Sequence, residues 1–443
     1  MKRLLSIVLA TVMLLGLLAG CGGAGSPAAK NEAAPSDKAA ETKEAEAKAP
    51  EAKKDVSVKI LNLKVEIADA LGKMPADYLK ENPGVNLKIE TIGGGTDYNA
   101  ALMAKFQSGD APDIFVNGGF AGLDQWLEKS EELTNEPWVK DMVEGTGIPM
   151  TKDGKLYGQP QAIEGFGFAY NKALFKKAGI TEIPKTLTQL EDAAKKLQAA
   201  GIQPFVNSYA EWWVLGCHNV NLLLSQQPDP QKFIDDVAAG KVKTRDNPIT
   251  PGWLKLLDIT VKYGQKNMTT AGDYATSVNA FAAGKGAMIQ QGNWIQPDID
   301  KVDPNLEVGF IPMPTSDTPE EKIYAGVPNF WSVNKESKVK EEAKAWLNWL
   351  VSSDSGKRYI TEEFKSVPAF KSIQGKDFKG LNQALAAYAT DGKVFSWSFP
   401  RLPTGAINDI GAVMMKYLAG QIDGNAMADG IDKAIVDKAK AKQ

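Results

Sequence analysis

The sequence predicts an α/β protein of about two lobes. Three observations predict it: a length of 443 residues, beyond what one hydrophobic core usually supports; short apolar runs alternating with longer amphipathic segments; and Gly or Pro between them. At 43% hydrophobic and 24% charged, the composition is that of a globular chain, neither disordered nor fibrous. Lys and Arg total 51 against 54 Asp and Glu, and the net charge of -3 offers no basic field for DNA or RNA. Thiol and imidazole come only from Cys21, Cys217 and His218, so a zinc cluster, an iron-sulfur centre or a Cys-His-Asn triad lacks ligands. No metal and no cofactor is expected.

The first segment reads as a processing signal. Lys2 and Arg3 precede an apolar run, Leu4 to Leu18, shorter than the ~20 residues a spanning helix needs. Leu18-Ala19-Gly20-Cys21 resembles the bacterial lipobox, in which residues 1–20 are removed and the cysteine is acylated, here Cys21. Two or three acyl chains then anchor the protein to the outer face of the cell membrane. From Gly22 to Lys54 the chain has eleven Ala, six Lys and six acidic residues with no aromatic or branched aliphatic one. Such a stretch buries too little apolar surface to offset ordering entropy and reads as a disordered tether.

The globular part starts near Asp55. Val56 to Leu63 reads as a first strand, followed by a helix that stops before Asn82-Pro83-Gly84. Val85 to Ile92 reads as a second strand. Gly93-Gly94-Gly95 then leads to a helix over Tyr98 to Ser108, capped by Thr96 or Asp97 and packed through Leu102, Met103 and Phe106. Asp113 to Val116 reads as a third strand. The glycine loop matches neither GxxxxGK[ST] nor GxGxxG, which argues against a nucleotide.

Several stretches then carry a family resemblance. Asp97-Tyr98, Leu102, Phe106 and Ser108-Gly109-Asp110-Ala111-Pro112-Asp113 resemble the first-lobe signature of extracellular solute-binding proteins of carbohydrate ABC importers, family 1, the maltose-binding-protein-like group. Tyr157-Gly158-Gln159-Pro160, Glu164-Gly165, Tyr170-Asn171-Lys172 and Phe175 to Ile180 are similar to its crossover into the second lobe. Phe281 to Met288 and Gly292-Asn293-Trp294 look like its second-lobe strand and binding loop, and Lys340 to Gly356 and Phe395 to Gly420 extend the likeness. The resemblance implies a two-lobed periplasmic-binding-protein-like fold of class II, with a hinge and an interlobe cleft. It implies lobe one at 55–162 plus 316–365 and lobe two at 163–315 plus 366–443. Crossings are expected near Ala162 to Gly165, Pro312 to Ser316 and Lys365 to Pro368, each punctuated by Gly, Pro or Ser.

A sugar presents hydroxyls and flat C-H faces, so its site needs carboxylates or amides and aromatic rings. Of the ten tryptophans, Trp126, Trp253, Trp346 and Trp349 fall at helical spacing with leucines and read as core. Trp138 has no clear role. Trp212, Trp213, Trp294, Trp331 and Trp397 lie in loop contexts. The resemblance puts Trp212 and Trp294 at the ligand; Trp397 joins them, Trp213 is expected behind Trp212, and either Phe330 or Trp331 faces the cleft. Glu66, Asp97, Glu164 and Asn293 are the expected polar partners, with Phe120 after Gly118-Gly119 as a further ring. Arg401 reads as an exposed loop arginine, with a fork onto two sugar hydroxyls as the alternative. Family proteins often carry tryptophan or a different polar residue just after the first strand, whereas this chain has Leu63-Lys64-Val65-Glu66.

The expected function is therefore that of a monomeric ABC substrate-binding lipoprotein that captures a sugar, an oligosaccharide of two to four units, and delivers it to a membrane permease. No catalysis is expected. Two rivals remain at this point: the same fold around a polyamine, metal or phosphate ester, and a secreted glycosidase using two carboxylates about 5–10 Å apart, such as Glu164 and Glu211. Cys217 reads as a buried structural thiol.

Overall fold

The computed structural model describes residues 55–441 apart from 95, 208, 267–271 and 376–377. The expected signal, Cys21 and the tether lie outside the described residues. In chain order the strands are β1 (Val56–Asn62), β2 (Val85–Thr91), β3 (Ile114–Asn117), β4 (Thr151–Lys152), β5 (Lys155–Leu156), β6 (Gln159–Pro160), β7 (Glu164–Asn171), β8 (Met288–Gly292), β9 (Val308–Ile311), β10 (Ile323–Gly326), β11 (Phe330–Val333) and β12 (Val394–Ser396). They form two five-stranded sheets and the small hairpin β4-β5.

The first sheet runs β2-β1-β3-β11-β6. β1 pairs in parallel with β2 and β3, as strands joined by helices do, while β11 runs antiparallel to β3 and β6. The connecting helices follow the sequence signals. Helix α1 (Ala68–Glu81) stops at Asn82, before Pro83. Helix α2 (Tyr98–Ser108) starts with the Asp97 carboxylate accepting from the Ala100 N–H at 3.0 Å and ends at Gly109, whose φ of 78° suits glycine. Of its three expected packing residues Leu102 is buried and Phe106 half-buried, whereas Met103 faces solvent.

The second sheet orders β12-β10-β7-β8, with β9 also on β7. β7 shows why it is central. Phe166 and Phe168 fill one face, while Gly165, Gly167 and Ala169 line the other. That second face is close-packed: a side chain at Gly165 would strike Leu385 of the helix Gly380–Thr390. Lobe two thus has cores on both faces of its sheet, and lobe one has its own around Ile60, Phe115, Trp331 and Trp346.

The structure moves two expected crossings. Ile323–Gly326 hydrogen-bonds to β7 and β12 in the second sheet, so the chain crosses at 326–330 and not at 312–316. The prolines that suggested the earlier point flank Met313, buried in lobe two. Ala369, Phe370 and Ile373 still pack in lobe one, which puts the return to lobe two after them and beyond the expected 365–368. The chain passes from the first sheet to the second between β6 and β7.

Candidate functional site

The strand β1 ends in a rigid corner. Asn62, fully buried, donates from Nδ2 to the Lys64 carbonyl at 2.8 Å and accepts the Lys64 N–H at 3.1 Å. This aims the Lys64 side chain out of lobe one toward the start of β7. There its ammonium pairs with Glu164 and, at 2.6 Å, with Glu66. All three side chains are 8–10% exposed, so the cluster sits in a low-dielectric region between the lobes. Burial alone pushes an ammonium down, but Glu164 and Glu66 outweigh it and hold Lys64 well above its ordinary value. The Glu164 carboxyl also moves up, first by burial and then by Glu66, against the pull of Lys64. One ammonium between two carboxylates has net charge -1, which favours retained protons on Lys64 and Glu164.

Lobe two contributes rings. His218 belongs to a π-helical turn, Val214–Asn219, a local form frequent at functional sites. Its imidazole stacks on Phe166 at 4.4 Å and 20°, with Trp294 at 5.0 Å, Trp213 at 5.2 Å and Trp397 at 6.1 Å. Burial drives the His218 pKa down to about 3, so the ring is neutral. The ring of Trp294 lies where a side chain at Gly292 would stand, and its Nε1 donates to Gln291 Oε1 at 2.9 Å. Trp397 meets Trp294 edge-on at 6.3 Å. Glu211 orients the far side, accepting from Trp213 Nε1 at 3.2 Å and from the Tyr274 N–H at 2.9 Å. Among the described residues, His218 Nδ1, Gln291 Nε2 and Trp397 Nε1 are buried without a protein partner, as are Trp126 Nε1 and Trp346 Nε1 in the core of lobe one.

The lobes meet again at the rim. Phe120 has φ 46°, a strained value for an aromatic residue, and the Arg401 guanidinium lies 4.1 Å from its ring centroid. Thr404 Oγ1 donates to the Ala121 carbonyl at 3.4 Å, and Lys301 pairs with Asp69 at 3.6 Å.

The structure therefore brings together Glu66, Glu164, Trp294 and Trp397, with Phe120 at the rim. It does not bring in the rest. Phe330 and Trp331 are buried in the core of lobe one, where Trp331 packs edge-on to Trp346 at 5.4 Å. The polar loop ends at Asn329, and β11 takes both Phe330 and Trp331 into the sheet. The Asn293 amide is engaged at both ends, accepting from Gly165 N–H at 2.9 Å and donating to Asn382 Oδ1 at 2.8 Å. Asp97 caps α2 and faces solvent. Trp212 is half-buried, and among the described residues no ring stacks on it; the expected order is reversed, since Trp213 reaches Trp294 at 6.4 Å. Sequence reasoning missed Lys64, Trp213, His218 and Arg401. The signal for Lys64 was the unusual Leu63-Lys64-Val65-Glu66; for His218 it was only that the sequence has a single histidine. Cys217 beside it is a free, buried thiol pushed up by desolvation. Among the described residues no group of His, Cys, Asp and Glu is placed to hold a metal ion, and no helix is long and apolar enough to cross a membrane.

A family model described as bacterial extracellular solute-binding protein matches residues 63–357, spanning most of both lobes. The chain belongs to that family. This solute-binding protein is 23% identical over 349 residues to the multiple sugar-binding protein of Streptococcus mutans, covering 77% of this chain and 81% of that one. It is 24% identical over 311 residues to the melibiose/raffinose/stachyose-binding protein MelE of Bacillus subtilis, covering 68% and 70%. Among solved structures, the solute-binding protein RafE in complex with raffinose superposes with a TM-score of 0.74 at 21% identity, covering 86% of this chain and 99% of that one. A Bacillus licheniformis sugar transporter in complex with stachyose gives 0.70 at 21%, covering 86% and 100%. These likenesses establish the two-lobed, maltose-binding-protein-like fold.

Proposed function

We propose that this solute-binding protein captures a sugar, an oligosaccharide of two to four units, between its lobes and delivers it to the permease of an ABC importer. One observation carries the reading. Rings of Trp213, Trp294 and Trp397 converge beside the Lys64-Glu164-Glu66 cluster, which combines flat apolar faces with hydrogen-bonding groups, as a sugar requires. Its relatives and structural neighbours that bind melibiose, raffinose and stachyose support the same class. Acylation of Cys21 and the tether would hold the protein at the membrane near its permease. Binding without hydrolysis is supported by the carboxylates themselves: Glu164 is clasped by Lys64, and Glu211 already accepts two hydrogen bonds. A phosphate ester fits less well, because the Lys64 charge is already matched by two carboxylates.

A solute held by one lobe gains contacts to the other only when the lobes meet, so it favours the closed arrangement by its differential affinity. The test is calorimetric titration with raffinose, stachyose, maltooligosaccharides, spermidine and a sugar phosphate, each recovered and examined for hydrolysis. Micromolar or tighter binding of one neutral sugar series, recovered intact, is the expected result. Binding of spermidine or the sugar phosphate alone would overturn the sugar assignment, and cleaved product would overturn the binding-protein reading.

A further inference from the structure

One interlobe segment is held in a backbone conformation that an L-residue adopts reluctantly. Lys365 has φ 49°, in the left-handed region. On both sides the chain is anchored in lobe one, through Phe364 before it and Ala369 and Phe370 after it. At Lys365 itself, however, the grip comes from lobe two. Its ammonium pairs with Asp300 of the helix Gln296–Val302, and its carbonyl accepts from Asn382 Nδ2 of the helix Gly380–Thr390.

The contacts continue into the site. Asn382 Oδ1 accepts from Asn293 at 2.8 Å, and Asn293 Oδ1 accepts from the Gly165 N–H at 2.9 Å. Gly165 follows Glu164, and Asn293 precedes Trp294. The loop closes through the neighbouring crossing, where the Ile163 N–H donates to the Val367 carbonyl at 2.8 Å. Asn293 and Asn382 are 2% and 3% exposed, which makes each of these bonds costly to leave unmade. One crossing, one lobe-one loop, two lobe-two helices and two site residues thus share one hydrogen-bonded circuit.

We propose that Lys365 is a positioning residue for capture. It is a strained lobe-one latch beside the hinge, gripped by Asp300 and Asn382 of lobe two when the lobes are together and released when they part. The grip then sets the balance between the two arrangements without touching the solute, while Asn293 carries the register to Glu164 and Trp294. This rests on the capture reading, so the test uses ligand-free protein, and a failure of the sugar screen leaves its outcome intact.

Small-angle scattering reads lobe separation, and hydrogen exchange reads the Ile163 and Gly165 amides. Asp300→Asn and Asn382→Ala weaken the grip and leave the strain. Each is expected to raise the parted fraction and the exchange of both amides roughly five- to tenfold, the effect of about one lost polar contact. Asp300 is partly exposed and safe to change, which keeps the test alive if Asn382→Ala misfolds. Adding Lys365→Gly to Asp300→Asn removes the strain where no ion pair is left to lose. Exchange and radius of gyration should then return toward the starting values, which a merely structural role would not produce. Unchanged scattering and exchange in Asp300→Asn, or a glycine variant that parts further, would overturn the proposal.

Discussion

The tryptophans of the two lobes lead different lives. In lobe one Trp126, Trp138, Trp331, Trp346 and Trp349 are all buried in a single core, whether they come from helices, a turn or a strand. In lobe two Trp253 and Trp397 are buried as well, yet Trp397 joins the half-buried Trp213 and Trp294 around His218 where the lobes meet. Lobe one instead brings charge to that place, through Lys64 and Glu66, and one strained ring, Phe120. The difference teaches that residue type alone does not mark a binding ring. What marks it is a backbone that stops supporting regular packing, such as the π-turn under His218 or the bare Gly292 under Trp294.

Substitutions can break this division. Trp346→Ala in lobe one removes a fully buried ring and should cost about 3–5 kcal/mol in chemical denaturation, with no change in ligand specificity among molecules that remain folded. Trp294→Ala should do the reverse. Ligand affinity measured by calorimetry falls about tenfold or more, while stability falls by less than in Trp346→Ala. Equal losses of stability in the two would erase the contrast.

Acid should separate the lobes further. An unfolded histidine takes a proton near pH 6.5, whereas folded His218 does so only near 3, so between these values the unfolded chain binds more protons and stability falls as pH falls. By pH 5 the loss from this group is about 2 kcal/mol. His218→Phe should flatten that acid limb in urea titrations at pH 7 and 5; an unaltered limb would show that His218 is not its source. The smallest effect belongs to the rim. Arg401→Ala removes the cation above Phe120 and should weaken closure by about 0.5–1 kcal/mol, a change in ligand affinity of less than about fivefold.

Much of the fold is legible in the sequence because its signals are local. The Asn82-Pro83-Gly84 stop and the Asp97 cap each act over a few residues, and the strands and helices expected between Val56 and Val116 appear within a residue or so of their places. The two misplaced crossings were not local. Pro312 and Pro314 look like a boundary, yet which sheet receives Ile323–Gly326 depends on pairing with β7, about 160 residues earlier. The site divides the same way. Glu164 and Trp294 sit in recognisable stretches, but Lys64 acquires its role from a carboxylate 100 positions away. Asn293 sits in the expected loop and has the expected chemistry, yet its hydrogen bonds face inward. Trp331 follows a polar loop and still belongs to the sheet.

Cys217 has a further use. Its thiol sits inside the π-turn at the back of the ring cluster, and desolvation keeps it protonated, so an alkylating reagent finds neither access nor a thiolate. Lobe two therefore carries its own clock: the peptide containing Cys217 takes up label only as fast as that lobe comes apart, and ligand occupancy can be read as a delay in its labelling.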